Sequence, residues 1–315
     1  MTVIRGLAAI ILLSVGYVSI SSGQDNKTLN PAPAAPNLLV LVYQEFPYGK
    51  ANARNKLEAA IARACNRLEV PNSWIALQSL TGAREVLSFD PFESFEQLEQ
   101  SFDGWKKIYA AHPDLARMQE EIDALLTNER TIVAVRRDDL GYHTDNIDLS
   151  EMRFMRMVEV RLAPGHESEF VESLKILGEA YEKIKADSPW LVYQVNMGMQ
   201  SPEFLIFMPM NALKQNDDLL SWKENLQEAE GEEAMKRLQQ IARESYVNTE
   251  SNLYVVNSEM SHVSKEFAAG DPNFWTPMQV PAAKPAGRKG TVIPAADQST
   301  AKAIVRKTGE KLQNR

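Results

Sequence analysis

Apolar side chains recur at helical spacing in the first half of the chain, at Leu57, Ala60, Ile61, Ala64, Cys65 and Leu68, and Pro71 closes that run. A β-rich segment at 38–46 precedes it, and the turn Pro47-Tyr48-Gly49 separates the two. Alternating segments at 74–80 and 85–89 flank Thr81-Gly82, which predicts a hairpin. A second helix begins near Ser94 with Leu98, Phe102, Trp105 and Ile108 inward. His112-Pro113 breaks it, and it resumes with Leu115, Met118, Ile122 and Leu125. A last strand follows at 131–135.

The second half repeats this plan. A strand at 154–162 leads through Pro164-Gly165 to a helix carrying Phe170, Leu174, Leu177, Tyr181 and Ile184, closed by Pro189. Strands are expected at 190–197 and 204–208, then a helix over 216–248 broken near Gly231, then a strand at 253–257. Landmarks keep step: Trp74 and Trp190 are 116 residues apart, as are Gly49 and Gly165. Trp105 and Trp222 are 117 apart, and Pro91 and Pro209 are 118 apart. The order is βαββαβ twice, so the predicted fold class is α+β, two tandem ferredoxin-like units with antiparallel sheets.

Two such units, with the turns F-P-Y-G at 46–49 and A-P-G-H at 163–166 between first strand and helix, resemble the dimeric α/β-barrel superfamily. That group includes antibiotic-biosynthesis-type monooxygenases and NIPSNAP-like proteins. The resemblance spans about residues 37–262. It implies that the tandem units close an α/β barrel within one chain, as a monomer mimicking a dimer or a weak homo-oligomer. It also implies a ligand cavity within a unit or toward the barrel interior. Haem is the cofactor some members use, but the G-x-x-D-G motif of related haem barrels is absent and the haem-degrading Asn, Trp and His set has no counterpart in register. No cofactor is expected, with His166 or His112 the residues to consider if haem binds.

Composition limits the rest. The 315 residues carry 34 Lys+Arg against 42 Asp+Glu, a net charge of −8, which disfavours nucleic acid as a partner. The single cysteine, Cys65, excludes an internal disulfide and a multi-cysteine metal site. Residues 1–23 read as a signal peptide: Arg5 precedes an apolar run over 7–20, and Ser21-Ser22-Gly23 offers small residues for cleavage. The run is too short to span a bilayer, so no membrane span is expected after cleavage. The chain then divides into a linker at 24–36, a first unit at 37–137, a linker at 138–150, a second unit at 151–262, and a Pro/Ala/Lys-rich basic tail at 263–315. The tail, with nine basic and four acidic residues, is expected to be disordered except where Phe274 and Trp275 dock on the body.

Strand alternation sorts the candidate site. An apolar face, with Val158, Val160, Leu162, Ile75, Leu77, Leu191, Tyr193, Leu87, Phe89, Leu205 and Phe207, is expected to meet the helices. A mixed face is expected to line the barrel interior or the interface between the units. Its ligand-binding candidates are Tyr43, Glu45, Trp74, Gln78, Glu159, Arg161, Trp190 and Gln194. Arg161 is expected to pair with Glu45 or Glu159, and the repeated Trp and Gln suggest either packing or a pocket for a flat ligand. No G-x-S-x-G, phosphate-binding loop or H-E-x-x-H pattern is present, so no catalytic residue is named. The reading is an exported protein that binds a small apolar or aromatic ligand, or an envelope protein, without catalysis. The alternative is a monooxygenase-type oxidoreductase, cofactor-independent or haem-linked.

Overall fold

The computed structural model describes residues 35–220 and 222–276, so the signal segment, nearly all of the first linker and the tail beyond 276 lie outside it. The first unit runs β1 (Leu38–Glu45), α1 (Ala51–Leu68), β2 (Ile75–Ser79), β3 (Glu85–Phe92), α2 (Phe95–Ala111), α3 (Pro113–Asp123) and β4 (Asn128–Arg136). The second runs β5 (Phe154–Leu162), α4 (Glu167–Ile184), β6 (Leu191–Met197), β7 (Glu203–Met210), α5 (Trp222–Ser245) and β8 (Tyr246–Val256). The breaks fall where the sequence places them. Pro113 starts α3 after His112, and Gly231 interrupts α5 with φ 81°. Ser94 caps α2 through its side chain, which accepts from the Gln97 amide. Helices α1 and α4 end alike, on the non-glycine residues Glu69 (φ 50°) and Lys185 (φ 54°) in the left-handed region.

The strands close an antiparallel barrel in the order β1-β3-β2-β8-β5-β7-β6-β4. Each unit contributes four neighbours, and β2–β8 and β4–β6 are the seams between units. A closed barrel leaves no sheet edge unpaired. Two tandem ferredoxin-like units thus form one intrachain α/β barrel. The largest departure from expectation is β8, which starts seven residues earlier than the apolar run at 253–257. Its first part, with Asn248, Thr249, Glu250 and Ser251, pairs with β5 while its side chains stay exposed, so no apolar alternation marks it.

Both faces of the sheet are buried. The barrel interior is packed by Leu41, Leu77, Leu87, Met157, Tyr193, Leu205, Phe207 and Tyr254. Outside, Trp74, Ala76 and Val86 meet α1 and α3, while Val160, Leu162, Trp190, Val192, Phe204 and Ile206 meet α4. This corrects the face assignment on β2, β3, β6 and β7. There the face carrying Ile75, Leu77, Leu87, Phe89, Leu191, Tyr193, Leu205 and Phe207 turns into the barrel, and the face carrying Trp74 and Trp190 turns to the helices. The reason is physical: when a sheet is covered on both sides, apolar character no longer distinguishes inner from outer. On β5 the expected assignment holds, with Val160 and Leu162 outward.

The tail also needs correction. Residues 263–276, placed with it from their composition, instead form α6 (Lys265–Ala268) and α7 (Pro272–Trp275). Trp275 is 5% exposed, packs into the barrel-core cluster, and its indole N–H donates to the Ser150 carbonyl at 2.7 Å. Arg153 pairs with Asp271 and lies over the Phe274 ring at 3.8 Å. A Pro-flanked aromatic pair anchored this way folds a segment whose average composition reads as linker.

Candidate functional site

Four of the sequence candidates stitch the barrel seams. Trp74 donates its indole N–H to the Met260 carbonyl at 2.8 Å, and Trp190 donates to the Leu140 carbonyl at 3.0 Å. Gln78 accepts from Asn257 at 2.8 Å, and Gln194 accepts from Arg137 at 3.0 Å. Each Trp and Gln belongs to one unit, and each partner belongs to the segment leaving the last strand of the other. Trp74 bridges His262, and Trp190 bridges Tyr142, stacked on it at 4.7 Å. The repeated Trp and Gln are therefore placed at the two unit junctions; of the four, Trp74 also lines a cavity at the apolar end of the barrel, and Trp190, Gln78 and Gln194 do not.

The other four, Tyr43, Glu45, Glu159 and Arg161, come together at one end of the barrel. They line a cavity of about 470 Å³ with Glu85, Arg130, Glu203 and Glu250. The expected Arg161 ion pair is not what forms. Arg161 donates to Gln200 at 2.8 Å, Glu45 accepts from Asn128 at 3.0 Å, and Glu159 accepts from the Tyr43 hydroxyl at 3.0 Å. Glu45 and Glu159 each have a neutral donor, and the cation whose charge acts on Glu159 is Arg130. Tyr254 makes a parallel bond to Glu85 at 2.7 Å, and Arg130 lies over the Tyr43 ring at 4.3 Å. Burial raises the carboxyls of Glu85 and Glu159 above the usual range. Burial, then the charge of Glu159, lifts Glu203 to about 6. Sequence alternation found Glu159 but missed Glu85 and Glu203, which sit singly at the starts of β3 and β7 among apolar neighbours.

The opposite end is apolar. A cavity of about 490 Å³ opens there, walled by Leu39, Ile75, Phe89, Met155, Leu191 and Phe207. These walls are paired by the repeat: Leu39 with Met155, Ile75 with Leu191, Phe89 with Phe207, at offsets of 116 to 118. Phe89 and Phe207 meet at 5.0 Å between ring centres. Tyr193 breaks the symmetry, donating its hydroxyl to the Pro36 carbonyl at 2.7 Å. The stretch between β4 and β5 supplies Leu149 and Met152, and the segment after β8 supplies Val263 and Phe267, so both segments that follow a unit's last strand roof the cavity. The packed interior layer separates the two ends.

Neither cavity fits haem well. No histidine or cysteine lines either one, so an imidazole or thiolate for the iron is missing, and the Tyr193 phenol already has its partner. His262 is engaged at both ring nitrogens, by Asn66 and by the Val70 carbonyl. His166 lies by Ser245 and Glu169 at the start of α4, outside both cavities.

No family model matches the chain, and no curated protein is similar to it in sequence. Solved structures similar in fold include an anthrone oxidase-like protein, 13% identical over 70% of this chain and 91% of that one, with a TM-score of 0.46. A mutant chlorite dismutase from Candidatus Nitrospira defluvii is 8% identical over 70% of this chain and 92% of that one, with a TM-score of 0.42. A haem-binding protein from Thermus thermophilus is 12% identical over 73% of this chain and 94% of that one, with a TM-score of 0.40. These likenesses are distant, and no activity passes from them to this chain. The strand order itself identifies the architecture as the dimeric α/β-barrel fold, completed within one polypeptide.

Proposed function

We propose that the chain binds a small apolar or aromatic ligand, without chemistry, in the roofed cavity at the apolar barrel end. The observation that carries this is the cavity itself: about 490 Å³, walled by aliphatic and aromatic side chains, with polar groups such as Ser73, Glu93 and Ser264 among its lining. That is the size and character of a small-molecule site. Covering ~300 Å² of apolar ligand surface at roughly 25 cal/mol per Å² gives about 7.5 kcal/mol before the cost of association. A flat ring in the cavity can stack on the exposed side of Phe89 or Phe207, both of which line it. We place this binding outside the cytoplasm, because residues 1–23 read as a signal. Among the described residues no helix is long and apolar enough to cross a membrane. The test is native mass spectrometry of the purified chain with an absorption spectrum of the same sample. A bound mass lost in an Ile75→Trp variant, whose indole fills the cavity, supports the reading; an unliganded chain that takes up no aromatic probe removes it.

One observation favours a second reading, an oxidoreductase of the monooxygenase type. The polar end holds two tyrosine–carboxylate hydrogen bonds, Tyr43–Glu159 and the buried Tyr254–Glu85, and carboxyls raised by burial are suited to moving protons. Turnover of a phenolic substrate with dioxygen uptake, lost in Glu159→Gln, distinguishes it from the carrier reading.

A further inference from the structure

The polar end of the barrel presents a different problem from the apolar one. Five carboxylates and two guanidiniums share its cavity, an excess of three negative charges if all are ionised. Four of the carboxylates have donors: Asn128 for Glu45, Tyr254 for Glu85, Tyr43 for Glu159 and Asn248 for Glu250. Glu203 does not. It is 6% exposed, stands on the inward face of β7 in line with Leu205 and Phe207, and its carboxylate accepts no hydrogen bond among the described residues. Its cross-strand neighbour Arg161 is turned to Gln200, and Arg130 rests on the Tyr43 ring. The Glu203 carboxylate thus opens onto the cavity with no donor from the described residues, and a cationic donor arriving from the cavity can supply one.

We propose that this end is a second binding site, for a small organic cation bearing a primary ammonium, with the ammonium seated on Glu203. An ammonium brings three donors and no acceptor, which suits a wall rich in carboxylate oxygens. The charge excess favours a cation over a zwitterion or an anion. A chelated metal ion fits less well, because no group of three or more His, Cys, Asp or Glu side chains among the described residues is arranged to hold one. The volume, about 470 Å³, leaves room for an alkyl amine beside the Tyr43 hydroxyl. Binding is coupled to protons. Glu203 is held up near 6, an ammonium beside it lowers that value, and ligand binding near pH 6 therefore releases a proton.

The test is calorimetric titration of the full chain with putrescine near neutral pH, with the diol of the same carbon frame as the uncharged control. Saturable binding of putrescine is expected, with none of the diol, and Glu203→Gln weakens it about tenfold or more. The methyl resonance of Met199, which lines this cavity, shifts on binding, while those of Met152 and Met155 at the other end do not. Absence of saturable heat, equal binding of the diol, or undiminished binding by a folded Glu203→Gln overturns the proposal. Should Glu203→Gln fail to fold, the unsubstituted chain decides: affinity falls as pH drops through about 6, and a pH-independent affinity overturns the proposal.

Discussion

The Tyr43 hydroxyl donates to Glu159 at 3.0 Å, and these two residues hold the same place in the two halves of the chain, 116 positions apart. They face each other across the barrel at the point where the repeat meets itself. A symmetric pair there brings two like side chains together; the divergence into a donor and an acceptor turns that contact into a hydrogen bond. The same divergence separates Leu77 from Tyr193 at the equivalent inward place further along. A barrel made by one chain is free to differ between its halves in this way, whereas a homodimer is not.

Tyr43→Phe leaves Glu159 without its donor, at an expected cost of about 1–3 kcal/mol. The deficit depends on pH. The Tyr43 bond lowers the Glu159 carboxyl, which burial otherwise raises, so its loss raises it further. A carboxyl raised in the folded state contributes stability at low pH that is lost as pH rises through the folded value. Urea unfolding therefore shows a deficit that grows as pH rises above the ordinary carboxylate range.

Asp90 gives a second pH signature. Burial raises it to about 7, against the opposing bond from the Ser88 hydroxyl at 2.5 Å. Its stabilising contribution is present in acid, below the unfolded value of about 4, and fades as pH climbs through about 7. Asp90→Asn should remove that slope and leave the chain more stable than the parent above neutrality, as read from thermal midpoints across pH.

Trp190→Phe removes the bond to the Leu140 carbonyl at one seam and leaves that carbonyl without the donor. A loss of about 1–3 kcal/mol is expected. Because Trp190 lies on the outer face and does not line the apolar cavity, ligand affinity there stays unchanged. A variant that unfolds no earlier but loses ligand would place Trp190 in the site instead.

Lys185 ends α4 at φ 54°, a conformation glycine adopts without strain. Lys185→Gly is expected to stabilise by about 0.5 kcal/mol, the relief of strain outweighing the greater freedom of the unfolded chain. The shift in urea midpoint at constant slope checks it.

Trp275→Ala withdraws the anchor of the C-terminal roof. Amide exchange over residues 265–275 should accelerate while the strands keep their protection. Ligand exchange at the apolar end accelerates with it, since Val263 and Phe267 form part of that roof.

How much of this was legible in the residues follows from what each signal measures. Periodicity reports that a side is buried, and it located the helices, the β order and the repeat. It does not report which of two buried sides is inside, so the face carrying Trp74 and Trp190, expected at the barrel interior or the unit interface, packs against the helices and at the seams between units. Pairing driven by a neighbour rather than by burial leaves no pattern, which is why the polar start of β8 passed as helix and turn. Arg54 shows the same limit. It is 1% exposed on α1, bonded to Gln44 and Glu58, yet among Ala51, Asn55 and Lys56 it reads as a surface residue. Of the cavity at the polar end, the residues on β1 and β5 were visible and Glu85 and Glu203 were not, because a lone glutamate at a strand start looks like a turn residue.

Methyl-labelled methionine spectra measure the central claim most directly. Met152 and Met155 line the apolar cavity, and Met199 lines the polar one. Titration with a naphthol is expected to shift Met152 and Met155 saturably, to leave Met199 in place, and to have no such effect in Ile75→Trp. Unmoved Met152 and Met155 at saturating probe, or a shift confined to Met199, would contradict the apolar end as the ligand site.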